Sequence, residues 1–253
     1  MKAYGNTNAG LVRKTNEDCY FISSNKTGPF SNLFVVADGM GGHNAGEIAS
    51  KLAIESFVSY IAAANDFDSI ENLLIKATQY ANKTIFEQAK LNDTYNGMGT
   101  TLVALGVLED ELLIINVGDS RLYILDAELK QITIDHSYVE ELVRAGEITR
   151  EESIHHPSKN KITKALGVFK SVFPDIYRMG IKDSKRILLC TDGLTNMVND
   201  KEISDILRNG LNIEAQGDCL IHAAMEYGGT DNITFILIDT VNGNNDNIKE
   251  VKQ

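Results

Sequence analysis

Apolar residues along this chain gather in short runs that stop at acidic, glycine-rich turns. Leu33-Phe34-Val35-Val36-Ala37 runs into Asp38-Gly39-Met40-Gly41-Gly42-His43, and residues 187–191 run into Asp192-Gly193. Runs this short, closed by Asp and Gly, are read as buried strands with turns at their ends. Further strands are expected over 19–23, 102–108, 111–117, 121–125 and 233–238, with the Gly28-Pro29 loop and the Glu109-Asp110 turn making hairpins of neighbouring runs. Helical spacing appears elsewhere. One helix opens at His43-Asn44, with Asn44 as N-cap and Ile48, Leu52, Val58 and Ile61 turned inward. A second covers 69–90, entered through Asp68 with Glu71 as its capping partner, and turns Ile70, Leu73, Leu74, Ala77, Ala81 and Ile85 inward. Short helices are expected from 135–137 to Gly146, after the Thr149/Glu152 capping box and near 161–166; two more cover 200–209 and 213–227, closed by Gly210 and Gly228. No internal repeat or low-complexity linker divides the chain. One domain over 1–240 is expected, with a polar, loose tail over 241–253.

Antiparallel pairing gives these runs a consequence. The start of one strand lies beside the end of its partner, so Asp18 should meet Asp38, Asp119 should lie opposite Gly99-Thr100, and Asp231 should join Asp192. A single Asp-Gly after a strand is merely a turn; its repetition suggests one shared site. Five carboxylates cannot crowd a cleft without cations, because each would raise the others' pKa until some took up protons. All-oxygen ligation favours Mg²⁺ or Mn²⁺ over Zn²⁺, and no His-Cys cluster has zinc spacing. Two such ions would hold a phosphoryl group, deprotonate a bridging water and steady the leaving oxygen, which is phosphoester hydrolysis. Arg13 could grip phosphate through its planar fork or be a solvated surface residue. His43 could protonate the leaving alkoxide or only cap the helix start.

Composition narrows the setting. With 24 Lys+Arg against 35 Asp+Glu, a formal charge of −11 argues against tracking a nucleic-acid backbone. Cys19, Cys190 and Cys219 form neither a disulfide framework nor a CxxC pair, which suits a reducing cytoplasm. The first residues lack the apolar core of a signal peptide, and no apolar run is long enough to span a bilayer.

Arg13 with Asn16-Glu17-Asp18, Asp38-Gly39-Met40-Gly41-Gly42-His43, Gly99-Thr100-Thr101, Gly118-Asp119-Ser120-Arg121, Asp192-Gly193 and Asp231-Asn232 together resemble the PPM family, the metal-dependent type 2C serine/threonine protein phosphatases, in its bacterial form. The resemblance implies an α+β fold, a four-layer α-β-β-α sandwich around two antiparallel sheets. It implies that Asp38 bridges two metal ions, Mn²⁺ or Mg²⁺, with Gly39 adding a backbone carbonyl. Asp192 and Asp231 would bind the first ion, Glu17 and Asp18 would act around the second, and Asp119 would join Asp192 at a third. Arg13 would bind phosphate, and residues 135–157 would form a flap beside the site. Here Met40-Gly41-Gly42 separate the Asp-Gly pair from His43, whereas animal relatives place a histidine directly after that pair. The implied protein is a monomer that dephosphorylates phosphoserine and phosphothreonine in proteins, through a metal-bridging hydroxide, opposite a serine/threonine kinase. A catalytically silent phosphoprotein-binding regulator of the same fold is the alternative; a two-metal nuclease fits the carboxylates but not the charge.

Overall fold

The computed structural model describes residues 1–42, 45–181 and 186–240. The candidate general acid His43, the N-cap Asn44 and the tail 241–253 lie outside the described residues. Two antiparallel sheets face one another. One has the order β2 (Asp18–Ser23), β3 (Asn32–Met40), β5 (Leu102–Leu108), β6 (Glu111–Val117) and β9 (Asp175–Gly180), with the short β4 (Gly99–Thr100) paired to the end of β3. The other has the order β1 (Lys2–Asn8), β11 (Ile233–Asp239), β10 (Arg186–Cys190), β7 (Arg121–Leu125) and β8 (Leu129–Gln131). Helices α1 (Ala45–Ala62) and α2 (Ile70–Leu91) cover the first sheet, while α5 (Asp192–Thr195), α6 (Asp200–Arg208) and α7 (Ile213–Glu226) cover the second. The result is the expected four-layer α-β-β-α sandwich.

The two-residue period of a strand accounts for the layering. Leu33, Val35 and Ala37 of β3 pack under α1 and α2, while Phe34 and Val36 meet Ile187 and Leu189 of β10 and Ile236 and Ile238 of β11 between the sheets. Phe235 and Leu237 of β11 turn outward to α7. Central strands covered on both faces therefore appear in the sequence as unbroken apolar runs. Three of the four edge strands do not: β1, β8 and β9 are partly exposed, carry no apolar run and escape a reading based on hydrophobicity.

Several expected details differ. The buried stripe of α1 runs through Ala45, Gly46, Ala49, Ala53, Ile54, Phe57 and Ile61, leaving Ile48, Leu52 and Val58 at its flanks. Close approach to β3 is the reason: a Cβ on Gly39 would lie 2.1 Å from the Gly46 carbonyl oxygen, so the contact face must carry small side chains. Ser69, not Asp68, caps α2; its extended backbone aims the hydroxyl to accept from the Asn72 N–H at 3.1 Å. The segment 161–166 is not a helix. Leu166 and Thr100 exchange backbone hydrogen bonds of 2.9 and 3.0 Å, and Ile162 bridges to Ser137, so sheet-like pairing takes the place of a helical turn. Finally, Asp38 and Gly39 lie inside β3 rather than in a turn after it, and Asp192 begins the single turn α5.

Candidate metal centre

At one end of the sandwich, both sheets deliver carboxylates to the same cleft. Asp18 and Asp38 are direct cross-strand partners in the β2–β3 ladder, as pairing geometry requires. Asp119 sits in the turn that carries the chain from β6 in one sheet to β7 in the other. Asp192 follows β10, and Asp231 precedes β11, the strand paired with β10. Asp38 and Asp192 come from opposite sheets, yet they lie close enough for the charge of Asp192 to raise the Asp38 pKa.

The backbone around Asp38 is held on three sides. Its N–H donates to the Thr101 hydroxyl at 2.9 Å, and its carbonyl accepts from the Thr101 N–H at 2.9 Å and from the Thr100 hydroxyl at 2.8 Å. Thr101 and Ser120 share a hydroxyl contact of 2.7 Å, which joins Gly99-Thr100-Thr101 to the Asp119 turn. Glu17 lies against the start of α1, with its carboxylate oxygen 2.8 Å from where a Cβ on Gly46 would sit, and burial raises its pKa. Asn232 is the third organiser: its side-chain oxygen accepts from the Glu17 N–H at 2.8 Å, and its amide donates to the Ala9 and Thr15 carbonyls at 3.0 Å each. Thr100, Thr101, Ser120 and Asn232 all stood in sequence motifs. Their role was hidden because it consists of contacts to groups distant in sequence.

Crowding shows in the electrostatics. Removal from water, followed by repulsion from Asp18, Asp192, Asp119 and Asp231, holds the Asp38 carboxyl well above the usual carboxylate range. Asp119 is pushed well up by burial and then by Asp192. Burial raises Asp18 to about 7, although the Thr234 and Thr191 side chains oppose the shift. Asp192 is raised by removal from water and by Asp231. Asp38 and Asp192 keep a partly open face toward solvent, whereas Asp18 and Asp119 are buried.

These residues fit hard divalent cations. The donors are carboxylate oxygens, and Asp18 has one buried oxygen, Oδ1, with no hydrogen-bond partner. As placed, no three His, Cys, Asp or Glu side chains among the described residues stand close enough to enclose an ion. Protein donors already occupy several of their oxygens. Arg13 Nη2 donates to Asp231 Oδ2 at 2.8 Å, Asn196 to Asp192 Oδ2 at 2.8 Å, and Thr191 to Asp18 Oδ2 at 2.9 Å. Arg13 itself is half exposed at the rim.

The expected flap is helical, with α3 (Tyr138–Ala145) and α4 (Arg150–Ile154) tied together by the Arg150–Glu140 ion pair. Its root is fixed beside the Asp119 turn. Asp135 accepts from Arg121 Nε at 3.0 Å and from Arg121 Nη2 at 2.7 Å, and the Gly118 N–H donates to His136 Nδ1 at 3.0 Å.

The protein phosphatase 2C family model matches residues 12–224. A serine/threonine phosphatase of Listeria monocytogenes is 41% identical over 94% of this chain and 96% of its own length. Among solved structures, the serine/threonine phosphatase Stp1 of Staphylococcus aureus superposes with a TM-score of 0.89 at 40% identity, over 96% of this chain and 95% of that one. The catalytic domain of the serine/threonine protein phosphatase PstP in complex with two manganese ions superposes with a TM-score of 0.80 at 33% identity, over 94% of this chain and 97% of that one.

Proposed function

This chain belongs to the protein phosphatase 2C family and is a protein serine/threonine phosphatase; from that premise we propose that the acid cluster is its active centre and Arg13 its phosphate clamp. The observation that carries the reading is the meeting of Asp38 and Asp192 from opposite sheets, inside a group of acids whose mutual repulsion calls for divalent charge.

Asp38, with the Gly39 carbonyl, would serve both cations, Asp192 and Asp231 would bind one, Glu17 and Asp18 would act around the other, and Asp119 with Asp192 would hold a third. Mn²⁺ or Mg²⁺ bound there supplies the charge that acidifies a coordinated water and neutralises phosphoryl oxygens. The chain's own groups do the remaining work. Thr191 holds Asp18 in one orientation, and Thr100 and Thr101 fix the backbone that presents Asp38. Arg13 is seated at the rim with its guanidinium already directed at a carboxylate, an oxyanion of the kind that a phosphoryl group also offers. Protonation of the leaving serine or threonine oxygen is assigned to His43 from its place in the sequence. We also place the enzyme in the cytoplasm, as a monomer opposing a serine/threonine kinase. Among the described residues no helix is long and apolar enough to cross a membrane.

Purified protein with Mn²⁺ is expected to release phosphate from a phosphothreonine peptide and from p-nitrophenyl phosphate, and EDTA should stop both reactions. A protein that binds the peptide without turning it over would instead be the silent regulator, and one that cleaves plasmid DNA a nuclease. Arg13→Ala is expected to raise KM for p-nitrophenyl phosphate about tenfold with a smaller change in kcat, the loss of one charge-assisted grip on the ground state. An unchanged KM in initial-rate assays would remove Arg13 from the clamp.

A further inference from the structure

Asp119 follows the softest point of its turn. Gly118 holds φ +107°, and a Cβ there would lie 2.5 Å from Thr101 Cγ2, so glycine is required, and glycine has the widest backbone freedom of any residue. A carboxylate placed directly after it needs outside support, because removal from water and the charge of Asp192 both oppose keeping it in the cleft. His136 provides that support. Its ring Nδ1 accepts from the Gly118 N–H at 3.0 Å, and its own backbone N–H donates to the Gly118 carbonyl at 2.9 Å, so one residue holds both polar groups of the glycine. Asn116 Nδ2 donates to the same carbonyl at 3.2 Å. The Gly118 carbonyl and the Asp119 nitrogen share one planar peptide unit, so fixing the first fixes the point from which the Asp119 side chain starts.

The ring is itself oriented from its far side. An accepting Nδ1 leaves the proton of a neutral imidazole on Nε2. That nitrogen faces Asp175 Oδ2 at 3.3 Å, while Lys164 Nζ donates to Asp175 Oδ1 at 3.1 Å and stands 3.1 Å from Nε2. Asp175 therefore selects the tautomer: it takes the Nε2 proton and occupies the ammonium that would otherwise donate to that nitrogen. We propose that His136 is a positioning residue for the metal centre, its ring oriented by Asp175 and holding the Gly118 peptide so that Asp119 is presented to a divalent cation. The proposal rests on the assignment of Asp119 as a metal ligand. Groups that orient a ligand from behind typically carry roughly ten- to a hundredfold in metal affinity.

Mn²⁺ binding, followed through the electron paramagnetic resonance signal of the free ion, tests this apart from turnover. His136→Leu leaves the Gly118 N–H without its acceptor and is expected to raise the dissociation constant of the most weakly held Mn²⁺ about tenfold or more. His136→Asn offers an amide oxygen in place of Nδ1 and should stay within about threefold of wild type. Asp175→Ala keeps the ring and changes a half-exposed side chain. With the carboxylate gone, Lys164 donates to Nε2, the ring proton moves to Nδ1 and meets the Gly118 N–H donor to donor, and binding should weaken about as much as in His136→Leu. In an Asp119→Asn background, His136→Leu and Asp175→Ala should each weaken binding by less than about twofold further, because their effect passes through Asp119. Wild-type affinity in Asp175→Ala overturns the proposal whether or not His136→Leu folds. Equal losses in His136→Leu and His136→Asn, or full losses in the Asp119→Asn background, would also overturn it. An Asp119→Asn protein that binds Mn²⁺ as wild type does would overturn the metal assignment of Asp119 and this proposal together. Protein that shows the expected Mn²⁺ pattern but hydrolyses neither the phosphothreonine peptide nor p-nitrophenyl phosphate would support the role of His136 and refute the phosphatase reading alone.

Discussion

Asp38→Asn is expected to lower kcat by at least about a thousandfold while leaving the fold intact. Asparagine keeps the shape of the side chain but offers one neutral carbonyl oxygen where a carboxylate supplied charge and two acceptor oxygens. The Asp38 backbone, held by Thr100 and Thr101, is untouched by the change. Stability without added metal should stay level or rise, because the variant removes the group that lies among Asp18, Asp192, Asp119 and Asp231 and is repelled by each of them. Wild-type protein should gain thermal stability on addition of Mn²⁺, since a ligand that binds only the native state stabilises it by mass action; the variant should lose most of that gain. Activity assays paired with melting curves, with and without Mn²⁺, would check both halves. A variant as active as wild type would remove Asp38 from the centre, and one that melts far below wild type would make its role structural.

After EDTA treatment, wild-type protein is expected to become more stable as pH falls from about 8 to about 5, the reverse of ordinary acid destabilisation. Asp18, Asp38, Asp119 and Asp192 all have pKa values raised by the fold, chiefly through removal from water. A carboxyl whose native pKa is raised binds its proton more tightly folded than unfolded. The native state therefore carries a penalty that is full above the native pKa, about 7 for Asp18, and disappears as pH falls toward the unfolded value of 3.8. His136 opposes the trend. Burial, with Lys164 beside it, lowers its pKa, so unfolding releases a base that gains a proton below about 6.5. The raised carboxyls, Glu17 among them, outnumber the one imidazole, so Tm is expected to rise as pH falls through this range. Mn²⁺ should reverse the slope, because protons and cations compete for the same oxygens. Melting curves across this pH range would show it, and a metal-free protein whose Tm fell steadily with pH would contradict the crowding of the acids.

Much of this architecture was legible residue by residue. Unbroken apolar runs such as Leu33 to Ala37 mark strands covered on both faces, and antiparallel pairing of neighbouring runs is enough to set Asp18 opposite Asp38. The cap at Ser69 and the stripe of α1 differ from the sequence expectation for local reasons: Asp68 and Ser69 are both good caps, and an alanine-lined contact face has no strong hydrophobic period. The edge strands β1, β8 and β9 carry scattered apolar residues but no continuous run from which to read them.

The sequence by itself determined which acids end up at strand ends, and which of them are hairpin neighbours, because both follow from the two-residue period and from pairing geometry over short distances. Only the tertiary structure decided that Asp38 and Asp192 meet across two sheets, that Arg13 reaches Asp231, and that Asn232 ties Glu17 to residues 9–15. Those meetings depend on how one sheet lies against the other, which is set by the packing of the whole interior and has no signature in any single stretch of chain.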